Sequence, residues 1–227
     1  MKIKNWNLYE IIWLAMFSFL AIILTVIWKD TLLGFSVFIT GVLCVVLAAK
    51  GNLWTYVYGV YNTFGYAYIS YSNGLFGEMG LNLFFYTPMN VIGFIIWRNQ
   101  MNGNVVEMRS LTTKSKVLTA IICVLGTLAL GFGLSLITGQ NTPYIDATTN
   151  VLSVVATILM VQRYKEQWTL FIILNIFTII MWSIRTLAGS SNGTIMIVMW
   201  SAYLVNAVYG YYNWNKGAKL NQKTITA

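Results

Sequence analysis

Long apolar intervals without a single charged residue run through the chain, separated by short polar segments. A membrane-spanning helix needs about 20 consecutive, mostly apolar residues to cross a hydrocarbon core of roughly 30 Å. Trimming the polar and glycine-rich ends of the uncharged intervals leaves eight segments of suitable length. They lie near residues 11–28, 31–49, 53–72, 79–98, 117–138, 145–163, 168–188 and 194–214.

These segments are predicted to be helices. Only helices and closed barrels can cross lipid, because their backbone groups are all paired, and barrel strands alternate apolar and polar residues over about 10 positions. The run Ile-Ile-Leu-Thr-Val-Ile at residues 22–27 does not alternate. The charged fraction is 9%, against about 25% in soluble chains. The chain is therefore predicted to be an all-α integral membrane protein with eight transmembrane helices, and its composition excludes a soluble enzyme, a disordered chain and a disulfide scaffold.

The basic residues predict the orientation, because cytoplasmic loops carry an excess of Lys and Arg. Eight spans place twelve basic residues on one side and two on the other, so both termini are expected in the cytoplasm. The first segment is short and could instead lie along the membrane surface, which would leave ten against four. Eight spans therefore fit the charge rule better. The twelve are Lys2, Lys4, Lys50, Arg98, Arg109, Lys114, Lys116, Arg163, Lys165, Lys216, Lys219 and Lys223, and the two are Lys29 and Arg185.

The chain also repeats itself across three helices. Residues 42–46 (Val-Leu-Cys-Val-Val) reappear as residues 151–155 (Val-Leu-Ser-Val-Val), and Ser-Asn-Gly follows the next helix of each copy, at 72–74 and 191–193. Further matches occur in the same order in both copies. They pair Trp54 with Trp168, Asn62 with Asn175, and Tyr86, Gly93 and Trp97 with Tyr203, Gly210 and Trp214.

The repeat divides the chain into two three-helix bundles joined by one linker helix. An odd linker lets both bundles enter the membrane in the same direction, which gives a parallel 3+1+3 repeat plus an N-terminal helix. Transporters use parallel repeats and bind substrate near the middle of the membrane. The predicted parts are an N-terminal transmembrane helix (1–30), a first bundle (31–98), a cytoplasmic loop and linker helix (99–144), a second bundle (145–215) and a cytoplasmic tail (216–227).

Four asparagines are predicted to lie at mid-depth. Asn62 and Asn175 belong to the second helices of the two bundles, and Asn90 and Asn206 to the third. At 1.5 Å per residue they lie roughly 10–18 Å from the ends of their helices. An unpaired amide in hydrocarbon costs several kcal/mol, so these residues either bond helices together or line a polar cavity. Their symmetric pairing favours a cavity, in which amides can bond the hydroxyls and carboxamide of a neutral polar group.

Aromatic residues accompany these amides. Trp182 and Trp200 lie inside spans, and Tyr86 and Tyr203 share helix faces with the asparagines of the third helices. Aromatic faces beside amides suit a flat, cationic ring that bears hydroxyls, and core packing is the alternative. The predicted binding residues are Asn62, Tyr86, Asn90, Asn175, Trp182, Trp200, Tyr203 and Asn206. The remaining tryptophans are interpreted as interfacial belt residues: Trp6, Trp13, Trp28, Trp54, Trp97, Trp168 and Trp214.

Ionisable groups are missing where ion-coupled chemistry would need them. The chain has no His, and no Asp or Glu lies deep in any span. Proton relays and ion-coupled pumps usually carry such groups, so an uncoupled facilitator is predicted, although backbone carbonyls could still hold Na⁺. The sequence offers no catalytic constellation, metal cluster or cofactor motif, which argues against an enzyme. The net charge of +8 follows from cytoplasmic Lys and Arg facing membrane lipid, and predicts no nucleic-acid partner.

One family shares a fairly specific set of these residues. They include residues 151–156 (Val-Leu-Ser-Val-Val-Ala), residues 158–160 (Ile-Leu-Met), Tyr164 and Trp168. The set also includes Asn62, residues 90–93 (Asn-Val-Ile-Gly), Trp97, Asn175 and residues 206–214. On these positions the sequence resembles the PnuC family of bacterial nicotinamide riboside transporters, relatives of the SWEET sugar transporters, over roughly residues 31–216.

The resemblance implies a SWEET-like 3+1+3 fold, a homotrimer and passive uptake of nicotinamide riboside across the bacterial inner membrane. A cytoplasmic kinase would then trap the substrate by phosphorylation. In SWEET-type folds the third helices supply an Asn pair and the second helices flank the substrate, and this pattern falls on Asn90, Asn206 and Trp182. The residues leave thiamine and riboflavin open as substrates, since relatives of the family carry them. A non-transporting membrane receptor or assembly protein also remains open.

Two departures from the SWEET pattern stand out. SWEET transporters use proline hinges in the first helix of each bundle, whereas this chain has only Pro88, in a third helix, and Pro143. The spacing from Asn90 to Gly93 is three residues, and from Asn206 to Gly210 it is four. The second copy is therefore expected to contain a helical bulge.

Overall fold

The computed structural model describes residue 6 and residues 8–28, 31–72, 76–137, 142–188 and 193–226, and almost all of these are helical. Because α4, a π-helical turn and α5 are continuous, the described residues form eight helical segments and one two-stranded hairpin. The prediction of an all-helical membrane protein is confirmed, apart from this short hairpin. The elements are α1 (Leu8–Trp28), α2 (Leu32–Lys50), α3 (Trp54–Ser72), α4 (Phe76–Leu81), the π turn (Asn82–Tyr86), α5 (Thr87–Arg98), β1 (Met101–Asn102), β2 (Val105–Val106), α6 (Thr113–Ser135), α7 (Pro143–Val161), α8 (Gln167–Leu187) and α9 (Gly193–Thr226).

Five helices within the described residues are long and apolar enough to cross a membrane: α2, Glu78–Arg98, α6, α7 and α8. α3 and α9 coincide with predicted spans but are less apolar, because tyrosines and asparagines recur along them. Several residues on which the predicted orientation and repeat depend lie outside the described residues. They are Lys2, Lys4, Lys29, residues 73–74 and residues 191–192.

The chain divides into two compact units, Met1–Val106 and Glu107–Ala227. In the first, α1 packs on α2 and α3 packs on both α2 and α5. A buried ion pair fastens α1 to α2, since Lys50 Nζ lies 2.8 Å from Glu10 Oε2 and 3.9 Å from the centre of the Trp6 ring. In the second unit α6 packs on α7, α7 on α8 and α8 on α9. Residues 216–226 of the predicted tail continue α9 as helix.

The two units share a feature at equivalent helix ends. Gly51, just after α2, and Arg163, just after α7, have φ values of 71° and 65°. In each case the N–H of the following residue bonds, at 2.9 Å, to the carbonyl five residues earlier. This is the Schellman ending, which usually takes glycine because other residues are strained there. The matching ends support the repeat that was read from the sequence, with a strained arginine in the second copy.

The predicted bulge in the second copy is wrong. The wide turn lies in the first copy, at Asn82–Tyr86, whereas α9 is α-helical from Gly193 to Thr226. Pro88 explains the difference, because proline has no N–H to give to the preceding turn. The Thr87 backbone N–H and hydroxyl both bond to the Asn82 carbonyl instead, the hydroxyl at 2.9 Å.

Three tryptophans predicted for the interfacial belt are inside the protein. Trp97 and Trp214 are 0% exposed and Trp168 is 3% exposed, whereas Trp54 is 60% exposed. Trp168 packs on Gly210 and beside Trp214, and Tyr56 packs on Gly93 and beside Trp97. The structural counterpart of Trp168 is therefore Tyr56 and not Trp54. Tertiary packing across a glycine decides the burial of these rings.

Candidate functional site

The Asn62 amide bonds α3 to α2. Its Nδ2 donates to the Val37 carbonyl at 2.6 Å, and it lies so close to α2 that a Cβ on Gly41 would be 2.9 Å from this nitrogen. One N–H of the amide therefore forms a helix-to-helix bond, which is the alternative role considered for these asparagines, and the other N–H takes no part in that bond. Its Oδ1 remains an acceptor in this half-buried position.

The Asn90 amide lies against the backbone of α3. A Cβ on Gly59 would stand 2.5 Å from Asn90 Oδ1 and 2.9 Å from its Cγ. Gly59 precedes Asn62 by three residues on α3, so Asn90 contacts α3 one helical turn before Asn62. The glycine gives Asn90 the room it needs between α3 and α5.

Tyr86 ends the π turn, half-buried, with its ring edge-on to Phe85 at a centroid distance of 5.0 Å. The next residue, Thr87, is buried, and its hydroxyl lies 2.8 Å from that of Thr63 on α3. This hydroxyl pair fastens the wide turn to α3 at the position of Tyr86. Such π turns occur frequently at functional sites.

In the second unit, Asn175 on α8 and Asn206 on α9 are both buried. Asn175 lies eight residues after the first residue of α8, or about 12 Å along the helix. Asn206 lies thirteen residues after the first residue of α9, or about 20 Å along it. Both amides therefore lie well inside their helices, away from the ends.

Trp200 and Tyr203 are in direct ring contact, edge to face, with centroids 5.5 Å apart. Trp200 also packs against a buried cluster of Cys123, Leu152 and Leu174, from α6, α7 and α8. The indole is therefore part of the core of this unit, as the alternative interpretation held. Its Nε1 is buried and has no hydrogen-bond acceptor within the described part of the chain. A buried donor of this kind normally has a partner, so a bound polar molecule could accept from it.

Trp182 is half-buried near the C-terminal end of α8. The guanidinium of Arg185 lies over its ring, with Cζ 5.2 Å from the ring centre. Arg185 Nη2 in turn lies 3.0 Å from Asp146 Oδ1 on α7. One face of Trp182 thus already carries a cation, and that cation is neutralised by a carboxylate.

The loop between α7 and α8 is held by a segment that precedes α6. Arg109 exchanges backbone hydrogen bonds with Arg163 and Lys165 at 2.8 and 2.9 Å, and Arg163 Nη1 donates to the Glu107 carbonyl at 3.1 Å. Burial lowers the pKa of Arg163; Arg109 adds to this effect and Glu107 opposes it. These backbone and side-chain bonds give the loop a fixed shape.

Sequence reasoning missed three polar groups, of which the first two lie beside the candidate residues Tyr86 and Trp182. They are the Thr63–Thr87 hydroxyl pair, the Asp146–Arg185 ion pair, and Gln167, which is fully buried with both amide atoms unpartnered among the described residues. The ion pair could have been predicted from the sequence. Asp146 is near the start of α7 and Arg185 near the end of α8, and these two ends lie at the same membrane surface when adjacent helices run antiparallel. Thr63 and Thr87 left none, since threonine is common in spans.

Comparisons with known proteins give one consistent result. The family model described as "Nicotinamide mononucleotide transporter" matches residues 31–216. The nicotinamide riboside transporter PnuC of Neisseria mucosa is 36% identical over 221 residues, which cover 95% of this chain and 84% of that protein. PnuC of Haemophilus influenzae is 35% identical, covering 96% and 94%. A crystal structure of the vitamin B3 transporter PnuC superposes with a TM-score of 0.77 at 36% identity, covering 96% of this chain and 94% of that one.

Proposed function

The chain belongs to the nicotinamide mononucleotide transporter family, and on this premise we propose that it mediates facilitated diffusion of nicotinamide riboside into the cell. Membership confirms the predicted family and the prediction that the protein is not an enzyme. The observation that carries the proposal is the similarity to PnuC transporters over nearly the whole chain, at 36% and 35% identity. A cytoplasmic kinase would trap the substrate by phosphorylation, which requires no coupling ion.

The charge of the candidate residues favours the riboside over the mononucleotide. All eight are uncharged, and Arg185, the cation that contacts Trp182, is already paired with Asp146. A phosphate monoester carries about −1.5 to −2 charge at neutral pH and needs Arg or Lys partners to replace its hydration. The riboside needs only amide bonds for its hydroxyls and carboxamide, and aromatic faces for its pyridinium ring.

In the proposed site, four amides and four aromatic rings bind different parts of the substrate. Amides bond the ribose and the carboxamide, and aromatic rings contact the pyridinium. Trp200 adds a buried N–H donor that has no acceptor among the described residues. Asn62 contributes its oxygen and its second N–H, because one N–H is bound to the Val37 carbonyl. The amides are Asn62, Asn90, Asn175 and Asn206, and the rings are Tyr86, Trp182, Trp200 and Tyr203.

We propose the finer topology on the same premise: eight spans in a bacterial inner membrane, both termini cytoplasmic, and a parallel 3+1+3 repeat behind α1. The proposed boundaries remain 1–30, 31–98, 99–144, 145–215 and 216–227. The matched ends of α2 and α7, and the matched Tyr56–Gly93 and Trp168–Gly210 contacts, support the repeat. A homotrimer is proposed as well; α6 packs on α7 and leaves most of its apolar side chains exposed.

Reconstituted protein tests the function directly. Proteoliposomes should take up labelled nicotinamide riboside without any H⁺ or Na⁺ gradient, and empty liposomes should not. A thermal-shift panel of nicotinamide riboside, nicotinamide mononucleotide, thiamine, riboflavin and deoxynucleosides should show stabilisation by the riboside alone, since a ligand that binds only the folded state raises Tm. Preference for thiamine or riboflavin would refute the substrate, and uptake that requires an ion gradient would refute the uncoupled mechanism.

The alternative hypothesis is a receptor or assembly protein whose asparagines only bond helices together. The Asn62–Val37 bond favours it. This hypothesis predicts that Asn62→Ala and Asn206→Ala both lower stability and that no vitamin is transported. The transporter reading predicts that Asn206→Ala weakens binding at normal protein level. Uptake by the wild type separates the two.

A further inference from the structure

Asp146, Arg185 and Trp182 form a connected group across α7 and α8. Arg185 Nη2 contacts both carboxylate oxygens of Asp146, at 3.0 and 3.3 Å. Thr142 Oγ1 donates to Asp146 Oδ2 at 3.3 Å. The same guanidinium covers the Trp182 ring at 5.2 Å, so that the carboxylate fixes the arginine and the arginine fixes the ring.

This arrangement differs from that of an arginine that only reaches for water at the end of a span. Such a side chain extends away from the apolar core, whereas Arg185 lies back over a ring three residues earlier on its own helix. A positive charge near a helix C-terminus is favourable in itself, but that effect does not require the ring or the partner on α7. The geometry therefore couples two charges to one candidate binding residue.

We infer that the Asp146–Arg185 pair positions Trp182 and sets the preference of the site for a cationic over an uncharged substrate. The inference rests on the proposed function, because it takes Trp182 as a residue that contacts the pyridinium. A cation bound on the opposite face of the Trp182 ring would share the ring with the guanidinium, and the two positive charges repel. The Asp146 carboxylate cancels that repulsion, so the intact pair leaves the ring available to a cation.

The two members of the pair should consequently have opposite effects when neutralised. Arg185→Gln leaves Asp146 unpaired and attracts a cationic substrate, whereas Asp146→Asn leaves Arg185 unpaired and repels it. At a separation of about 9 Å and an effective dielectric constant of about 20–40, either change corresponds to roughly a five- to twentyfold change in affinity for a monovalent cation. An uncharged substrate of the same shape should barely respond.

The test compares nicotinamide riboside with its reduced form, in which an uncharged dihydropyridine replaces the pyridinium. Initial uptake rates into proteoliposomes give KM for each, and the ratio of the two KM values isolates the charge effect from any change in shape or folding. Relative to wild type, the ratio of cation to uncharged KM should fall about five- to twentyfold in Arg185→Gln and rise by a similar factor in Asp146→Asn. The double variant D146N/R185Q should return close to the wild-type ratio, and Arg185→Lys should retain it.

The matched control removes a cation from another ion pair of the same unit. Lys116 Nζ lies 3.1 Å from Glu166 Oε1, and Glu166 is nineteen residues before Arg185, about 28 Å away along α8. Lys116→Gln should leave the KM ratio unchanged.

A KM ratio that stays at the wild-type value in both single variants, or that shifts in the same direction in both, would overturn the inference. A purely structural role changes KM for both substrates alike and leaves their ratio unchanged. If Asp146→Asn does not fold, Arg185→Gln against Arg185→Lys still decides. Absence of uptake by the wild type would instead refute the proposed function itself, and the inference with it.

Discussion

The indole of Trp168 lies directly against the backbone of Gly210: a Cβ placed on Gly210 would stand 2.6 Å from three atoms of the ring. Real Cβ atoms do not approach so closely, so Gly210→Ala must push α9 away from α8. Overpacking of this kind costs typically about 1–3 kcal/mol. Gly93→Ala should act in the same way, because the Tyr56 ring fills the equivalent space in the first unit.

Thermal unfolding in detergent measures this effect. The control is Gly133→Ala on α6, where an added Cβ meets nothing within 4 Å and alanine favours the helix by up to about 1 kcal/mol. We expect Gly210→Ala and Gly93→Ala to lower Tm and Gly133→Ala to leave it unchanged or raise it. Equal Tm for Gly210→Ala and wild type would show that the helices are not held in this contact.

Arg163 combines backbone strain with buried contacts, and two substitutions separate them. Arg163→Ala loses the bond to the Glu107 carbonyl but keeps the positive φ, and should destabilise by about 1–2 kcal/mol. Arg163→Gly loses the same bond but relieves strain of about 1–2 kcal/mol, so it should unfold close to wild type. Gly51→Ala, at the equivalent helix end, should cost about 1 kcal/mol because it introduces the strain that Arg163 already carries.

Chemical unfolding of the three variants checks the order. Arg163→Gly should exceed Arg163→Ala in stability by about 1 kcal/mol. The reverse order would mean that the left-handed backbone at this position is not strained. Arg163→Lys adds a control for charge, because it keeps the cation but not the planar bond geometry of the guanidinium.

The sequence predicted the helices well because charge is excluded from lipid. The interval between Lys50 and Glu78 predicted α3, although its tyrosines lower its hydropathy. The burial of Trp97 and Trp214 could not be predicted, since an aromatic residue near the end of a span has the same local pattern whether it faces lipid or a glycine on the next helix. The π turn was placed in the wrong copy because it depends on Pro88 and on the Thr63 hydroxyl of another helix, and residue spacing records neither.

Among the candidate site residues, sequence depth identified asparagines and aromatics but not what they bond. Asn62 and Asn90 have the same residue type and similar depth, yet Asn62 donates to the Val37 carbonyl while Asn90 lies against Gly59. A hydrogen bond between helices depends on their packing distance, which here is set by Gly41 and Gly59. Depth alone therefore selected polar residues well inside their helices, and the structure shows which groups two of them contact.

Trp200→Phe separates the packing of Trp200 from its N–H donor. Phenylalanine keeps much of the contact with Cys123, Leu152 and Leu174, and the lost N–H has no acceptor among the described groups, so stability should hold. If the substrate accepts from this N–H, Kd for nicotinamide riboside should rise about three- to tenfold, as expected for one hydrogen bond. Trp200→Ala is the contrasting variant and should destabilise by about 3–5 kcal/mol. An unchanged Kd in Trp200→Phe would remove the N–H from the site.

Uncoupled transport of a cation predicts a specific dependence on membrane voltage. Nicotinamide riboside carries one positive charge, and moving one charge through 100 mV involves about 2.3 kcal/mol, so about 60 mV should change the equilibrium distribution tenfold. Proteoliposomes with a K⁺ diffusion potential, negative inside, should therefore accumulate the riboside about tenfold per 60 mV without any H⁺ or Na⁺ gradient. The uncharged reduced form should only equilibrate at every voltage, because no charge moves with it. Accumulation of the reduced form, or a riboside distribution steeper than one charge allows, would require a co-transported ion, and the lack of carboxylates deep in the predicted spans would then no longer mark an uncoupled carrier.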